Sequence, residues 1–166
     1  FWGLLTDPSY GRSLLNFPEH QVRCLKPGSA TGRLVGGNLS VLSSLIGTPF
    51  LPSFRNSLLF AEDINEPVYR LDRMLTHLFN AKLVQKCRGL IFGQFCKNPA
   101  DENRDYRFDK MFAYYADRMT EGTPVVTGLS YGHIQQLMTI PVGAKCRVET
   151  SPSHFAFGAA EAVVEL

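Results

Sequence analysis

The 166-residue chain lacks the signatures of several functional classes. Its four cysteines, Cys24, Cys87, Cys96 and Cys146, are widely spaced and form no C-x-x-C pair. That disfavours a zinc site or a thioredoxin-like redox centre, so reduced, mostly buried thiols are expected, with no metal and no cofactor. No stretch approaches the apolar length of a membrane span, and no charged n-region with an apolar h-region opens the chain. A soluble, cytoplasmic setting is the corresponding expectation. Seventeen basic and fifteen acidic side chains give a formal charge of +2. They are spread without a Lys/Arg cluster, so neither nucleic acid nor a membrane surface is an expected partner. Ser43 and Ser44 fall in a helical pattern and Ser57 at a strand start, and neither has a G-x-S-x-G elbow or a comparable sharp glycine turn, so no serine is read as an activated nucleophile. Internal repeats and low-complexity segments are also missing.

What is there suits one globular domain, with 45% hydrophobic residues, enough to bury a core. The chain starts at Phe1 rather than Met, inside an apolar pattern (Phe1, Trp2, Leu4, Leu5), as expected where upstream sequence has been removed. Residues 1–30 read as a connector broken by Pro8, Gly11, Pro18 and Pro27-Gly28. A strand over 31–35, a tight turn at Gly36-Gly37 and a helix over 38–46 closed by Gly47 follow. The apolar run 57–61 reads as a strand ending abruptly in Glu62-Asp63. Asn65 is the expected N-cap of a helix carrying Val68, Leu71, Leu75 and Leu78. Residues 88–95 read as a buried strand, 97–105 as a polar loop, and Phe108, Met111, Phe112, Tyr115 and Met119 as a second helix. A short strand over 124–127 then feeds the loop Gly128 to His133. Strands are expected over 136–141, 145–150 and 162–166 in hairpin order, with turns at Gly143 and Ser151-Pro152. This order predicts an α/β domain with a mixed, partly barrel-like sheet and flanking helices.

Two positions could carry chemistry. Glu62 would be held rigidly at a strand end, and His133 presented by a glycine-containing loop. A carboxylate that fixes the tautomer of a proton-accepting histidine is the logic of a nucleophilic triad. The alternative is a solvated acid beside a helix and a loop histidine bonded to backbone. His20, His77 and His154 suit structural or exposed roles. Gly36, Gly37 and Asn38 precede a helix, where converging N–H groups could receive an anion such as a substrate carboxylate, or simply form a turn. Arg70, Asp72 and Arg73 read as a salt-bridged surface face.

Together these residues form a recognisable set: Gly36-Gly-Asn-Leu39 with Gly47-Thr-Pro49, Leu59-Phe-Ala-Glu-Asp-Ile-Asn-Glu66, Tyr69-Arg-Leu-Asp-Arg-Met-Leu75, and Gly128-Leu-Ser-Tyr-Gly-His133 with Pro141-Val-Gly143. The set resembles the C-terminal domain of the serine-type LD-carboxypeptidases, a family that includes the microcin C self-immunity peptidases. The resemblance implies a swivelling β/β/α architecture over 31–166. It also implies a Ser/His/Glu triad that releases the terminal D-alanine from murein tetrapeptides in cytoplasmic cell-wall recycling. By motif, Glu62 is the triad glutamate, His133 its histidine, and Glu66 a structural, helix-capping acid. The family's serine lies in a G-x-S-D turn of an N-terminal domain, which nothing in this chain matches, and its members are typically homodimers. Residues 1–30 would then connect to that domain, the chain alone would be inactive, and the surface facing the missing domain would favour self-association. A microcin C immunity peptidase, or a non-catalytic interaction domain on the same scaffold, are the alternative readings.

Overall fold

In a computed structural model, residues 2–96 and 104–164 are described. The elements are helix α1 (Trp2–Thr6), strands β1 (Arg23–Lys26) and β2 (Gly28–Asn38), helix α2 (Leu39–Ser44), strand β3 (Ser57–Ile64), helix α3 (Val68–Asn80), strand β4 (Gly89–Cys96), helix α4 (Arg104–Asp117), and strands β5 (Val125–Thr127), β6 (Lys145–Ser151) and β7 (His154–Ala159). They build one mixed seven-stranded sheet in the order β1-β5-β4-β3-β2-β6-β7. The central strands β5, β4, β3 and β2 run parallel. Antiparallel β1 and the β6–β7 hairpin flank them. The sheet curls until it is nearly closed, so that β1 returns to touch β6.

Strand alternation explains why both faces are apolar. Val35, Leu59, Ala61, Leu90, Phe92 and Val125 face outward and pack under Leu71, Leu75 and Leu78 of α3 and Phe108, Phe112 and Tyr115 of α4. Their sequence neighbours Leu34, Leu58, Phe60, Ile91 and Val126 point the other way, into the barrel, where they meet Cys146, Val148 and Phe157. Successive side chains take opposite faces, and parallel strands covered on both sides read as continuous apolar runs.

Several elements depart from the sequence expectations. β2 is longer than 31–35 because Gly28 to Arg33 pair with β6 while Arg33 to Asn38 pair with β3. Gly36 and Gly37 therefore lie within a strand, opposite Phe60 and Ala61, rather than in a tight turn. The segment before residue 31 contributes β1 and the start of β2 to the sheet. β3 continues through Glu62 and Asp63 to Ile64 instead of stopping at Ala61. Asn65 adopts a left-handed conformation (φ 59°) and turns the chain, leaving Pro67 as the N-cap of α3 with no side-chain cap. Asparagine tolerates that region better than most residues. Residues 136–141 form no strand; Met138 and Ile140 instead insert into the barrel interior. Among the described residues the last strand is β7, and 162–164 form none; Ser151 pairs directly with His154, so the chain re-enters the ladder at once. Residues 165–166, and most of the polar loop read at 97–105, lie outside the described residues. Cys24, Cys87 and Cys146 are free thiols, and burial pushes the Cys87 and Cys146 thiols up to about 12.

Phe60 is 1% exposed, at the centre of the barrel interior. Phe60→Ala should lower the free energy of unfolding by about 3–5 kcal/mol in chemical denaturation. Phe50→Ala, at a position 78% exposed, should change it by no more than about 0.5 kcal/mol.

Candidate active site

β3 ends by burying two carboxylates in succession, Glu62 at 4% and Asp63 at 3% exposure. A buried charge is tolerated only with partners, and the two acids find different ones. Asp63 Oδ2 accepts from Ser40 N (2.9 Å) and Ser40 Oγ (2.7 Å), while Oδ1 accepts from its own neighbour Ile64 N (2.8 Å) and from Asn38 Nδ2 (3.1 Å). It thereby anchors the first turn of α2. Asn38 Oδ1 caps the same turn by accepting from Val41 N at 3.1 Å. The anion received at the start of α2 within this chain is thus the Asp63 carboxylate.

Glu62 faces the other way. Its Oε1 accepts from Asn38 Nδ2 at 3.3 Å, Asn38 being its direct neighbour across the β2–β3 register. Its Oε2 lies 2.8 Å from His133 Nδ1, across 71 residues of sequence. A bulge brings the histidine there. Between the pairs Ala61–Phe92 and Asp63–Phe95 the β3–β4 ladder shifts register, with β4 using one more residue than β3. Past Phe92, β4 turns its backbone groups to the 128–133 loop: Leu129 N donates to Phe92 O (3.3 Å) and Gln94 N to Tyr131 O (2.7 Å). The Gln94 side chain adds bonds to Gly128 O (3.0 Å) and Leu129 O (3.3 Å). Bulges characteristically re-aim side chains beside functional sites. The loop then crosses directly over Glu62. At Gly132 (φ 131°) a Cβ would stand 2.8 Å from Gln94 O and 3.2 Å from Glu62 Cβ, so glycine lets the backbone pass and set His133 over the carboxylate.

The resulting pair is asymmetric. The Glu62 side chain is 5% exposed, whereas that of His133 is 52% exposed. A rigid buried carboxylate thus holds one nitrogen of an imidazole that remains open to solvent. Beside it, Tyr131 stacks edge-on against Phe60 at 5.0 Å. Burial raises the Tyr131 phenol above its ordinary range, and the Glu62 charge raises it further.

The other residues singled out in the sequence divide. A Cβ on Gly36 would collide with Phe60 O at 1.9 Å, whereas one on Gly37 would meet nothing within 4 Å. Gly36 therefore serves strand packing, and Gly37 opens onto space beside Asn38. Glu66 pairs with Arg70 at 3.4 Å instead of capping α3, and Asp72 accepts from the Tyr115 hydroxyl at 2.8 Å, tying α3 to α4. His77 lies in α3 and His154 begins β7. The links of Asn38 and Gln94 to the pair were not legible, since each depends on strand register. Among the described residues, no group of three or more His, Cys, Asp or Glu could hold a metal ion.

A nearly closed α/β sheet that presents a buried carboxylate bonded to an exposed histidine defines a protein equipped to move a proton at the rim of its barrel. The chain belongs to the LD-carboxypeptidase C-terminal domain family, whose model matches residues 31–148. The family is one of hydrolases. This chain is 36% identical over 129 residues to the "Probable murein peptide carboxypeptidase" of Bacillus subtilis (strain 168), an overlap of 76% of this chain and 40% of that protein. The crystal structure of muramoyltetrapeptide carboxypeptidase from Oxalobacter formigenes superposes with a TM-score of 0.78 at 30% identity, over 98% of this chain and 53% of that one. The microcin C7 self-immunity protein MccF of Escherichia coli is 26% identical over 126 residues, 74% of this chain and 35% of that protein. The chain thus spans about half, or less, of the length of these relatives.

Because part of the upward shift at Tyr131 comes from the Glu62 charge, Glu62→Gln should lower the phenol's pKa without returning it fully to the ordinary value of about 10, since burial remains. Ultraviolet titration of the tyrosines, with Tyr131→Phe identifying the signal, reads this directly. An unchanged titration would mean that the two groups do not sense each other.

Proposed function

We propose that this chain is the C-terminal domain of a serine LD-carboxypeptidase that removes the terminal D-alanine from murein tetrapeptides in cytoplasmic cell-wall recycling. In this reading it supplies the Glu and His of a Ser/His/Glu triad. The observation that carries the reading is the 2.8 Å contact between His133 Nδ1 and the buried Glu62 carboxylate. The murein peptide carboxypeptidase of Bacillus subtilis and the muramoyltetrapeptide carboxypeptidase of Oxalobacter formigenes support the substrate class. The serine belongs to a domain preceding Phe1, and the residues ahead of β1 connect the two.

The geometry suits the chemistry. Glu62 accepts from Nδ1–H, which leaves Nε2 as the nitrogen that takes the serine proton when the hydroxyl attacks the scissile carbonyl. The imidazolium formed is stabilised by a carboxylate already fixed in place, with no reorganisation at the moment of reaction. Its proton then passes to the departing amine of D-alanine, and water repeats the sequence on the acyl-enzyme. Gly37, which opens onto space beside the pair, and Asn38, half-buried against it, are proposed to contact substrate, with Gly36 setting their backbone. The intact protein is proposed to be a homodimer, and the exposure of Trp2 and Leu15 at 73% and 82% suits a surface covered in the longer protein.

A second reading, a microcin-type immunity peptidase, draws on the likeness to MccF. Parallel assays on a murein tetrapeptide and a processed microcin analogue separate the two.

The intact protein should release D-alanine from a tetrapeptide, and Glu62→Gln or His133→Ala should each cut kcat by about three to four orders of magnitude or more. The chain of residues 1–166 alone should release none. Robust turnover by that chain, blocked by a serine reagent, would contradict the assignment.

A further inference from the structure

The 128–133 loop is gripped from a second side, by a segment that precedes the barrel. Ser130 has no exposed surface. Its N–H donates to Asn16 Oδ1 at 2.6 Å, and its Oγ accepts from Phe17 N at 2.9 Å and lies 3.1 Å from His20 Nδ1. Asn16 completes the clamp through Nδ2, which donates to Gly128 O at 3.4 Å and to His20 O. The orientation of this amide is dictated by its neighbours: a backbone N–H can only donate, so Oδ1 faces Ser130 and the NH₂ faces two carbonyls. The side chain thus bonds simultaneously to the loop and to its own segment.

Such a clamp is needed because the loop is otherwise permissive. Gly128 and Gly132 both take positive φ, at 90° and 131°, so the backbone has little intrinsic preference for the conformation that brings His133 to Glu62. Gln94 ties the loop to β4 on one side. Asn16 and Ser130 tie it to the upstream segment on the other.

We propose that Asn16 is a positioning residue for His133, acting through Ser130 to fix the 128–133 loop so that the imidazole meets Glu62. The kinetic consequence rests on the function proposed above; the effect on the Glu62–His133 hydrogen bond rests on the geometry alone. A misplacement of the order of 1 Å costs up to about a hundredfold in rate, so a residue remote from the proton transfer can govern it. Since Asn16 lies in the segment read as the connector to a preceding domain, the connector itself would help to hold the histidine in place.

The test uses the full-length protein with two variants, Asn16→Ala and Ser130→Ala, and two readouts. One is kcat and KM on a murein tetrapeptide. The other is the proton resonance of His133 Nδ1–H in histidine-labelled protein, identified by its loss in Glu62→Gln. Asn16→Ala should lower kcat by about ten- to a hundredfold with KM held within about twofold, and should weaken or shift the resonance. Ser130→Ala, which keeps the N–H bond to Asn16, should move both in the same direction by less. A lower Tm with unchanged kcat and unchanged resonance would overturn the proposal and leave Asn16 a packing residue. If the wild-type protein shows no carboxypeptidase activity, the functional reading fails and the resonance alone decides: perturbed in Asn16→Ala it supports the clamp, intact it refutes it. If Asn16→Ala does not fold, Ser130→Ala decides by the same two readouts.

Discussion

Two carboxylates in succession, Glu62 and Asp63, are buried at the end of β3, and most of the structure at that end of the barrel follows from the need to satisfy both. An uncompensated buried charge costs several kcal/mol. Alternation along the strand sends the two side chains to opposite sides, so one partner cannot serve both alone. Asp63 takes the first turn of α2, and with it fixes where that helix begins. Glu62 takes Asn38 and His133. Asn38 bridges the two acids with one amide nitrogen and caps α2 with its oxygen, so the carboxylates are braced as a unit.

The β4 bulge is the second half of this arrangement. The extra residue between Phe92 and Phe95 interrupts the β3–β4 ladder, which resumes at Asp63–Phe95 and Ile64–Cys96. With it, Gln94 is released to bond the 128–133 loop through both backbone and side chain. The loop is thereby bonded to the strand next to the one bearing Glu62, and a glycine at 132 removes the obstacle to its close passage. The outcome is a carboxylate–histidine unit with a dry end and a wet end. Such a unit is suited to a hydroxyl delivered from outside the described residues.

Much of the fold was legible locally. The continuous apolar run 57–61, the helical spacing of Leu71, Leu75 and Leu78, and the closing hairpin turn at Ser151-Pro152 are properties of short windows, and the strand, helix and turn stand there. The failures have a common cause. β1, the length of β2 and the continuation of β3 past Ala61 depend on which strands lie alongside, which no window contains. Residues 136–141 carry the apolar alternation of a strand, but Met138 and Ile140 spend it on plugging the barrel. At the candidate site, an acid ending an apolar run and a histidine ending a glycine loop were visible as separate features. Their meeting across 71 residues, the bracing by Asn38 and Gln94, and the clamp from Asn16 are products of tertiary register.

The central claim is that Glu62 and His133 complete a triad whose serine lies elsewhere in the intact protein. A crystal structure of that protein tests it most directly, through the distance from His133 Nε2 to the nearest serine Oγ of the preceding domain. The account predicts a hydrogen bond of about 2.6–3.2 Å, somewhat looser without substrate, with the Glu62 contact to Nδ1 preserved. A His133 imidazole that faces no serine hydroxyl, or one turned away from Glu62, would contradict it.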